Sequence, residues 1–419
     1  MAPAFDEALR RYAELAIKIG LNLQPGQRLI ISDPRRAGVP LEIAPLVRHL
    51  VEYAYKAGAP LVDVIWRDDA LQRLRFQHAP HDSFEEWPVA QPKGLLEHFE
   101  RGGALLSIHA ANPDLLTDQD AGRIALVQKT AFAQYLPTSD FTSRNLVQWC
   151  VIAASYAGWA KKVFPTLPPA EAETKLWQAL FRVCRADLPD PIAAWKEHVR
   201  QLVARSDYLN HKRYRHLHYT GPGTDLTLGL PPDHLWNAAQ SKTPKGIAFT
   251  ANLPTEEIFT LPHAAQADGH IAASRPLNYG DTLIDGFEVK FAGGRAVEAH
   301  ARSGETVLRK MLEADEGGAR LGEVALVPHS SPISQSGVMF YNTLLDENCA
   351  SHLAFGRAYK FCMRGGESMT DETFVAAGGN HSILHVDFMV GSGEMNIDGI
   401  ASDGTTEAIM RKGEWAFKV

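Results

Sequence analysis

The stretch LEIAPLVRHLVEYAYKAGAPLVDVIWRDD, residues 41–69, decides the fold. Its first half spaces apolar residues for one face of a helix and closes on Gly58, a residue suited to the left-handed turn that ends helices. Its second half, LVDVIW, is a run of strand formers. The same order occurs on both sides. Upstream, residues 5–20 predict an amphipathic helix, and QPGQRLIISDP (24–34) gives a Pro-Gly turn into a short apolar strand. Downstream, GLLEHFERGGALLSIHAANP (94–113) repeats helix then strand. Three such units predict an α/β fold with an N-terminal open, mainly parallel sheet flanked by helices.

From about 117 to 208 the pattern reads as helical, with turns at VFPTLPP and ADLPDP. From RYRHLHYTGPGTDLTLGL (213–230) onward the texture changes to short β-rich runs between Gly, Pro, Asn and Asp. A boundary near 210 is expected, giving an N-terminal α/β domain over 1–210 and a β-rich α+β catalytic domain over 211–419. The length of 419 residues, beyond what one core usually supports, fits two domains.

Hydrophobic residues make up 45% and charged residues 22%, the balance of a soluble globular chain. The net charge of −7 has the wrong sign for a nucleic-acid binder, and the one basic cluster, KRYRHLH (212–218), reads as the solvated start of a strand. No run of roughly 18 apolar residues predicts a membrane span, and the N-terminus lacks the apolar core of a secretory signal. Cys150, Cys184, Cys349 and Cys362 form no CxxC pair or dense framework, which fits a reducing, cytoplasmic location. None has the basic surroundings of a thiolate nucleophile.

The chemistry-bearing residues lie in the second half. In NHSILHVDFMVGSGEMNIDGI (380–400), His385 and Asp387 stand two apart in a strand-forming run, so they share one face and can offer nitrogen and oxygen to a divalent ion. His381 completes an HxxxH spacing, but Gly378 and Gly379 argue against a helix and leave it in a loop. NLPTEEIFTLP (252–262) sets Glu256 and Glu257 in a Pro-bounded segment where one could bind metal and the other act as general base. LGEVALVP (321–328) puts Glu323 in an apolar strand, where a carboxylate needs compensation. FYNTLLDENCASHLAFGRAY (340–359) offers His352 and Tyr359, seven apart: one side of a helix, or opposite sides of a strand. The pieces GPGTD and GSGEMN do not complete a phosphate-binding motif, and no GxSxG elbow is present.

Taken in order with WCVIAASYAGWAKKVFP and GTDLTLGL, these segments resemble the aminopeptidase T and aminopeptidase S family of metallopeptidases over about two thirds of the chain. The resemblance implies two divalent ions held by Glu257, Glu323, His352, His385 and Asp387, with Tyr359 as the catalytic tyrosine and, of the two adjacent acids, Glu256 as the base. It implies hydrolysis of the first residue from peptides with a free amino terminus, through a hydroxide bridging the ions, by a homodimer. Three carboxylates with two neutral imidazoles leave two divalent ions one positive charge in surplus, which suits activation of water and carbonyl. The mixed donors admit Zn, Co, Mn or Mg. The segment DGHIAASRPL (268–277) is a looser match and leaves substrate preference open. The rival reading is a mononuclear iron ring-cleaving dioxygenase of the dihydroxypyridine type, which would need only His352, His385 and Asp387.

Overall fold

The three helix-to-strand steps are present in the computed structural model, which describes residues 3–279 and 282–419. Pro3–Leu15 leads to Leu29–Ser32, Ala44–Lys56 to Val62–Val64, and Ala90–Glu100 to Ala104–His109. The chain divides into two compact units: Met1–Glu197 with Gln240–Pro254, and His198–Ala239 with Thr255–Val419.

In the first unit the strands form a five-stranded parallel sheet in the order Asn252–Leu253, Trp149–Ala153, Ala104–His109, Leu29–Ser32, Val62–Val64. Leu29–Ser32 is buried along its whole length, as expected of a strand covered on both faces. One expectation is corrected: 117–208 is not helical throughout. WCVIA forms the Trp149–Ala153 strand between the helices Ala121–Ser143 and Ala157–Val163, its length of five residues being too short to interrupt the helical pattern around it. The first helix continues through a π-helical turn, Ala16–Leu21, and packs closely on this sheet. A Cβ on Gly20 would lie 2.7 Å from Cys150 Sγ and 3.1 Å from a Leu253 methyl, so any larger residue there would force these side chains to shift.

The second unit is antiparallel. A nine-stranded sheet includes the long hairpin Thr282–Ala292 and Arg295–Ser303, in which Phe287, Val289 and Phe291 alternate with exposed residues. Beside it lies a four-stranded antiparallel meander, labelled here β1 (Ile258–Thr260), β2 (Leu321–Leu326), β3 (His352–Gly356) and β4 (His385–Met389). One face of the meander carries Ile258, Val324, Leu326, Leu353, Phe355 and Phe388, all buried. Phe355 stacks on Phe388 at 4.4 Å and on Phe291 at 6.2 Å, and Phe388 meets Phe287 edge-on at 5.6 Å. Each such pair contributes about 0.5–1.5 kcal/mol beyond its buried area, so this face is held rigidly to the large sheet. The opposite face carries the expected metal-ligating residues. No helix among the described residues is long and apolar enough to cross a membrane, and the four cysteines are free and buried.

Candidate metal centre

Strand alternation and register place the expected ligands. Glu323 pairs with Ala354, Ala354 with Asp387, and Gly356 with His385, while His352 pairs with Ala325. Paired residues share a face, as do residues two apart, so Glu323, His352, His385 and Asp387 all stand on the side away from the phenylalanines. Glu257 directly precedes Ile258, which pairs with Leu326 on the apolar face; one step earlier in the chain, Glu257 joins the ligand side. Between Glu323 and Asp387 the register sets only the methyl of Ala354, which leaves room above the sheet.

The five side chains form two groups sharing one member. Glu257, Glu323 and His352 bring a donor atom each within 4.8 Å of one another, and so do Glu323, His385 and Asp387. Glu323 turns one oxygen to each group: Oε1 lies 3.6 Å from His352 Nε2 and Oε2 lies 3.6 Å from His385 Nε2. Glu257 Oε2 is 3.2 Å from His352 Nε2, and Asp387 Oδ1 is 3.3 Å from His385 Nε2.

Both rings are aimed by their other nitrogen. His352 Nδ1 donates to the Ala350 carbonyl at 3.1 Å and His385 Nδ1 to the Arg357 carbonyl at 2.6 Å, which leaves each Nε2 facing the carboxylates. Glu257 Oε2 and Asp387 Oδ1 are buried and make no hydrogen bond. Buried oxygens opposite imidazole lone pairs repel unless a proton or a cation lies between them, so the donor set fits divalent ions. The charge pattern agrees. Burial pulls His385 down, but Asp387 and Glu323 outweigh it and raise its pKa to about 9. Burial likewise opposes the charging of His352, and the carboxylates of Glu257 and Glu323 override it. Burial pushes Glu323 up, whereas His385 holds Asp387 below the usual carboxylate range against the opposing effect of its own burial. The carboxylates thus draw both imidazoles toward their charged form, a demand for positive charge that bound cations would meet.

Tyr359 lies just past β3, at the start of the Lys360–Cys362 turn, so neither geometry considered for its seven-residue spacing from His352 applies. Its ring is 4.7 Å from that of His385 and stacks on Phe361 at 5.3 Å. Burial, then Glu323 and Asp387, push its phenol well above the ordinary value. Glu256 diverges from Glu257: it is buried, with Oε2 3.5 Å from His198 Nε2. His381 is an exposed loop residue 3.6 Å from Asp371. The residue outside the expected set is Glu347. It lies on the short turn Glu347–Cys349, and its carboxyl is raised by burial and by Glu257 and Asp387, with His352 opposing. Its sequence signal was an acid in LLDENCASHL (344–353), five residues before the candidate ligand His352.

Residues 5–415 match the family model described as thermophilic metalloprotease (M29). Aminopeptidase 2 of Geobacillus stearothermophilus is 46% identical over 418 residues, covering 99% of each chain. Aminopeptidase AmpS of Bacillus subtilis (strain 168) is 44% identical, covering 99% of this chain and 100% of that one. The solved structure of wild-type AmpT from Thermus thermophilus matches with a TM-score of 0.91 at 42% identity, over 99% of this chain and 100% of that one. A 2,5-dihydroxypyridine dioxygenase from Pseudomonas putida KT2440 matches with a TM-score of 0.53 at 11% identity, over 98% of this chain and 97% of that one, a likeness of fold alone. By a family match that runs through both units and relatives of this identity along the whole length, the chain belongs to the M29 family of metalloproteases.

Proposed function

We propose that this chain is a metal-dependent aminopeptidase that holds two divalent ions, one among Glu257, Glu323 and His352 and the other among Glu323, His385 and Asp387. The observation that carries this is Glu323, whose two oxygens each face a different imidazole and so can serve two ions at once. When bound, the ions supply Lewis acidity that polarises the scissile carbonyl and acidifies a water molecule.

The chain's own residues do the rest. The phenol of Tyr359 stays protonated at neutral pH and donates a hydrogen bond to the oxyanion that develops on the carbonyl. A proton acceptor must face the same space. Glu347 is near enough to Glu257 and Asp387 for their charges to act on its carboxyl, while Glu256 lies against His198, so we assign the proton to Glu347. Phe259 and Phe361, packed edge-on at 6.1 Å, form an apolar wall beside Tyr359 that limits water around the reacting carbonyl. Peptides with a free amino terminus are the substrates, the amino group being the one feature every such peptide presents. We also propose that the protein is a homodimer, the commonest closed assembly.

Metal analysis tests this reading. Protein purified without chelator, reloaded with Zn, Co or Mn and dialysed, should approach two equivalents per chain and hydrolyse an aminoacyl p-nitroanilide. A plateau at one equivalent of iron, with oxygen uptake on a dihydroxylated pyridine, would overturn it in favour of the dioxygenase.

A further inference from the structure

We propose that Asn348 and His198 are positioning residues for Glu257: they hold the two polar ends of the single peptide group joining Thr255 to Glu256 and so aim the next side chain at the ions. This rests on the reading of Glu257 as a metal ligand given above.

Glu257 needs such a device because it lies outside the strand ladder. Pairing in β1 begins at Ile258, so no ladder hydrogen bond fixes the backbone just before it. Thr255 and Glu256 are buried, and a buried peptide group must find partners for both its N–H and its C=O. Here both partners are side chains. The Thr255 carbonyl accepts from His198 Nε2 at 2.8 Å, and the Glu256 N–H donates to Asn348 Oδ1 at 2.7 Å. With the peptide plane held at both ends, the rotation that would swing Glu257 off the metal face requires breaking a buried hydrogen bond.

Asn348 is itself fixed. It is fully buried, its Nδ2 donates to the Leu344 carbonyl at 3.2 Å, and its own carbonyl accepts from Ser331 Oγ at 3.3 Å. The Leu344 carbonyl can only accept, so the amide presents nitrogen there and oxygen to Glu256. In the chain Asn348 directly follows Glu347 and precedes His352 by four. One amide therefore ties the Glu257 loop to the segment that carries Glu347 and His352. On the far side, a carbonyl partner requires the proton of His198 to be on Nε2. The same ring stands 3.5 Å from Glu256 Oε2. The adjacent acids thus divide: Glu257 goes to the metal face and Glu256 to the residue that pins its backbone.

Cobalt(II) titration of the full chain tests the assignment, read as the dissociation constant and as the visible d–d spectrum, with the melting temperature of the metal-free protein measured in parallel. Loss of a group that orients a ligand typically weakens metal binding about 10- to 100-fold. Asn348→Leu and His198→Leu should each do so and alter the spectrum. The double variant should lose less than the product of the two, because both act on one peptide group. His198→Gln, which keeps an amide N–H near the position of Nε2, should retain most of the affinity. Cobalt affinity and spectrum unchanged in Asn348→Leu, with only the metal-free melting temperature lowered, would overturn the proposal. If Asn348→Leu does not fold, the His198 pair decides: weaker binding by Leu than by Gln supports it, and equal binding overturns it. Wild-type affinity in Glu257→Gln would overturn the ligand reading itself, and this proposal with it.

Discussion

Replacing Ala354 by Leu tests the geometry of the site directly. Ala354 is fully buried on β3, with Glu323 opposite it on β2 and Asp387 opposite it on β4. Neighbouring Cβ atoms across an antiparallel pair are about 4.5–5.5 Å apart, so Glu323 and Asp387 start on the order of 10 Å from each other and converge above the alanine methyl. A leucine adds three carbons in that gap. Inserting methylenes into a packed interior typically costs about 1–3 kcal/mol, which lowers the melting temperature of the metal-free protein by a few degrees and leaves it folded. Metal content should fall from two equivalents to below one, and turnover of an aminoacyl p-nitroanilide by at least about 100-fold, because Glu323 can no longer serve both groups. Leu353→Met is the control: it lies on the opposite face, is equally buried, and should cost less than about 1.5 kcal/mol with full metal content. Folded Ala354→Leu protein that held two equivalents and turned over at the wild-type rate would refute the register argument.

Tyr359→Phe should keep its metal and lose about 100- to 1,000-fold in kcat, with no recovery in excess ion, whereas Asp387→Asn should lose metal and recover partly when ion is added; dialysis followed by metal analysis and steady-state kinetics separates the two. Glu347→Gln should retain two equivalents and lose kcat if Glu347 takes the proton; loss of an equivalent would make it a ligand instead. In calorimetric titrations, affinity for Zn or Co should rise with pH up to about 9, with proton release on binding, because His385 is protonated below that value and must shed the proton to offer Nε2. The stability of the metal-free protein should move the other way, falling as pH rises from the ordinary histidine value of 6.5 through about 9, where the imidazolium held by Asp387 is lost. Light scattering should give twice the 46.1 kDa chain mass; a constant value of one chain mass across a wide concentration range would reject the dimer.

The first unit was legible where helix and strand alternate at ordinary lengths, as in residues 41–69. It was not where the sheet is completed from a distance: Asn252–Leu253 is only two residues long and pairs with a strand a hundred residues earlier, a relation no local periodicity contains. In the site, His385 and Asp387 could be placed on one face because both lie in one strand. For Glu256 and Glu257 the local pattern could not choose, since adjacent residues diverge and the direction of each depends on the pairing of Ile258 with Leu326. Glu347 lies in a turn rather than a strand, so period two says nothing of it, and only the three-dimensional closure of the chain brings it to the other carboxylates.

Apart from the His385–Asp387 pair, successive proposed ligand positions are separated by about thirty residues or more, and they meet only because four strands pair in one register. An unfolded chain offers an ion little better than one histidine and one carboxylate at a time. The ions therefore cannot nucleate this sheet in the way that zinc organises a small finger domain, whose ligands lie close in sequence. A slip of one residue between strands would also turn a strand's ligands to the side where the phenylalanines pack. The complete donor set proposed above therefore exists only once the chain has finished its long-range pairing. With the ligands proposed above, selection among Zn, Co, Mn and Mg would fall to the folded chain and not to synthesis.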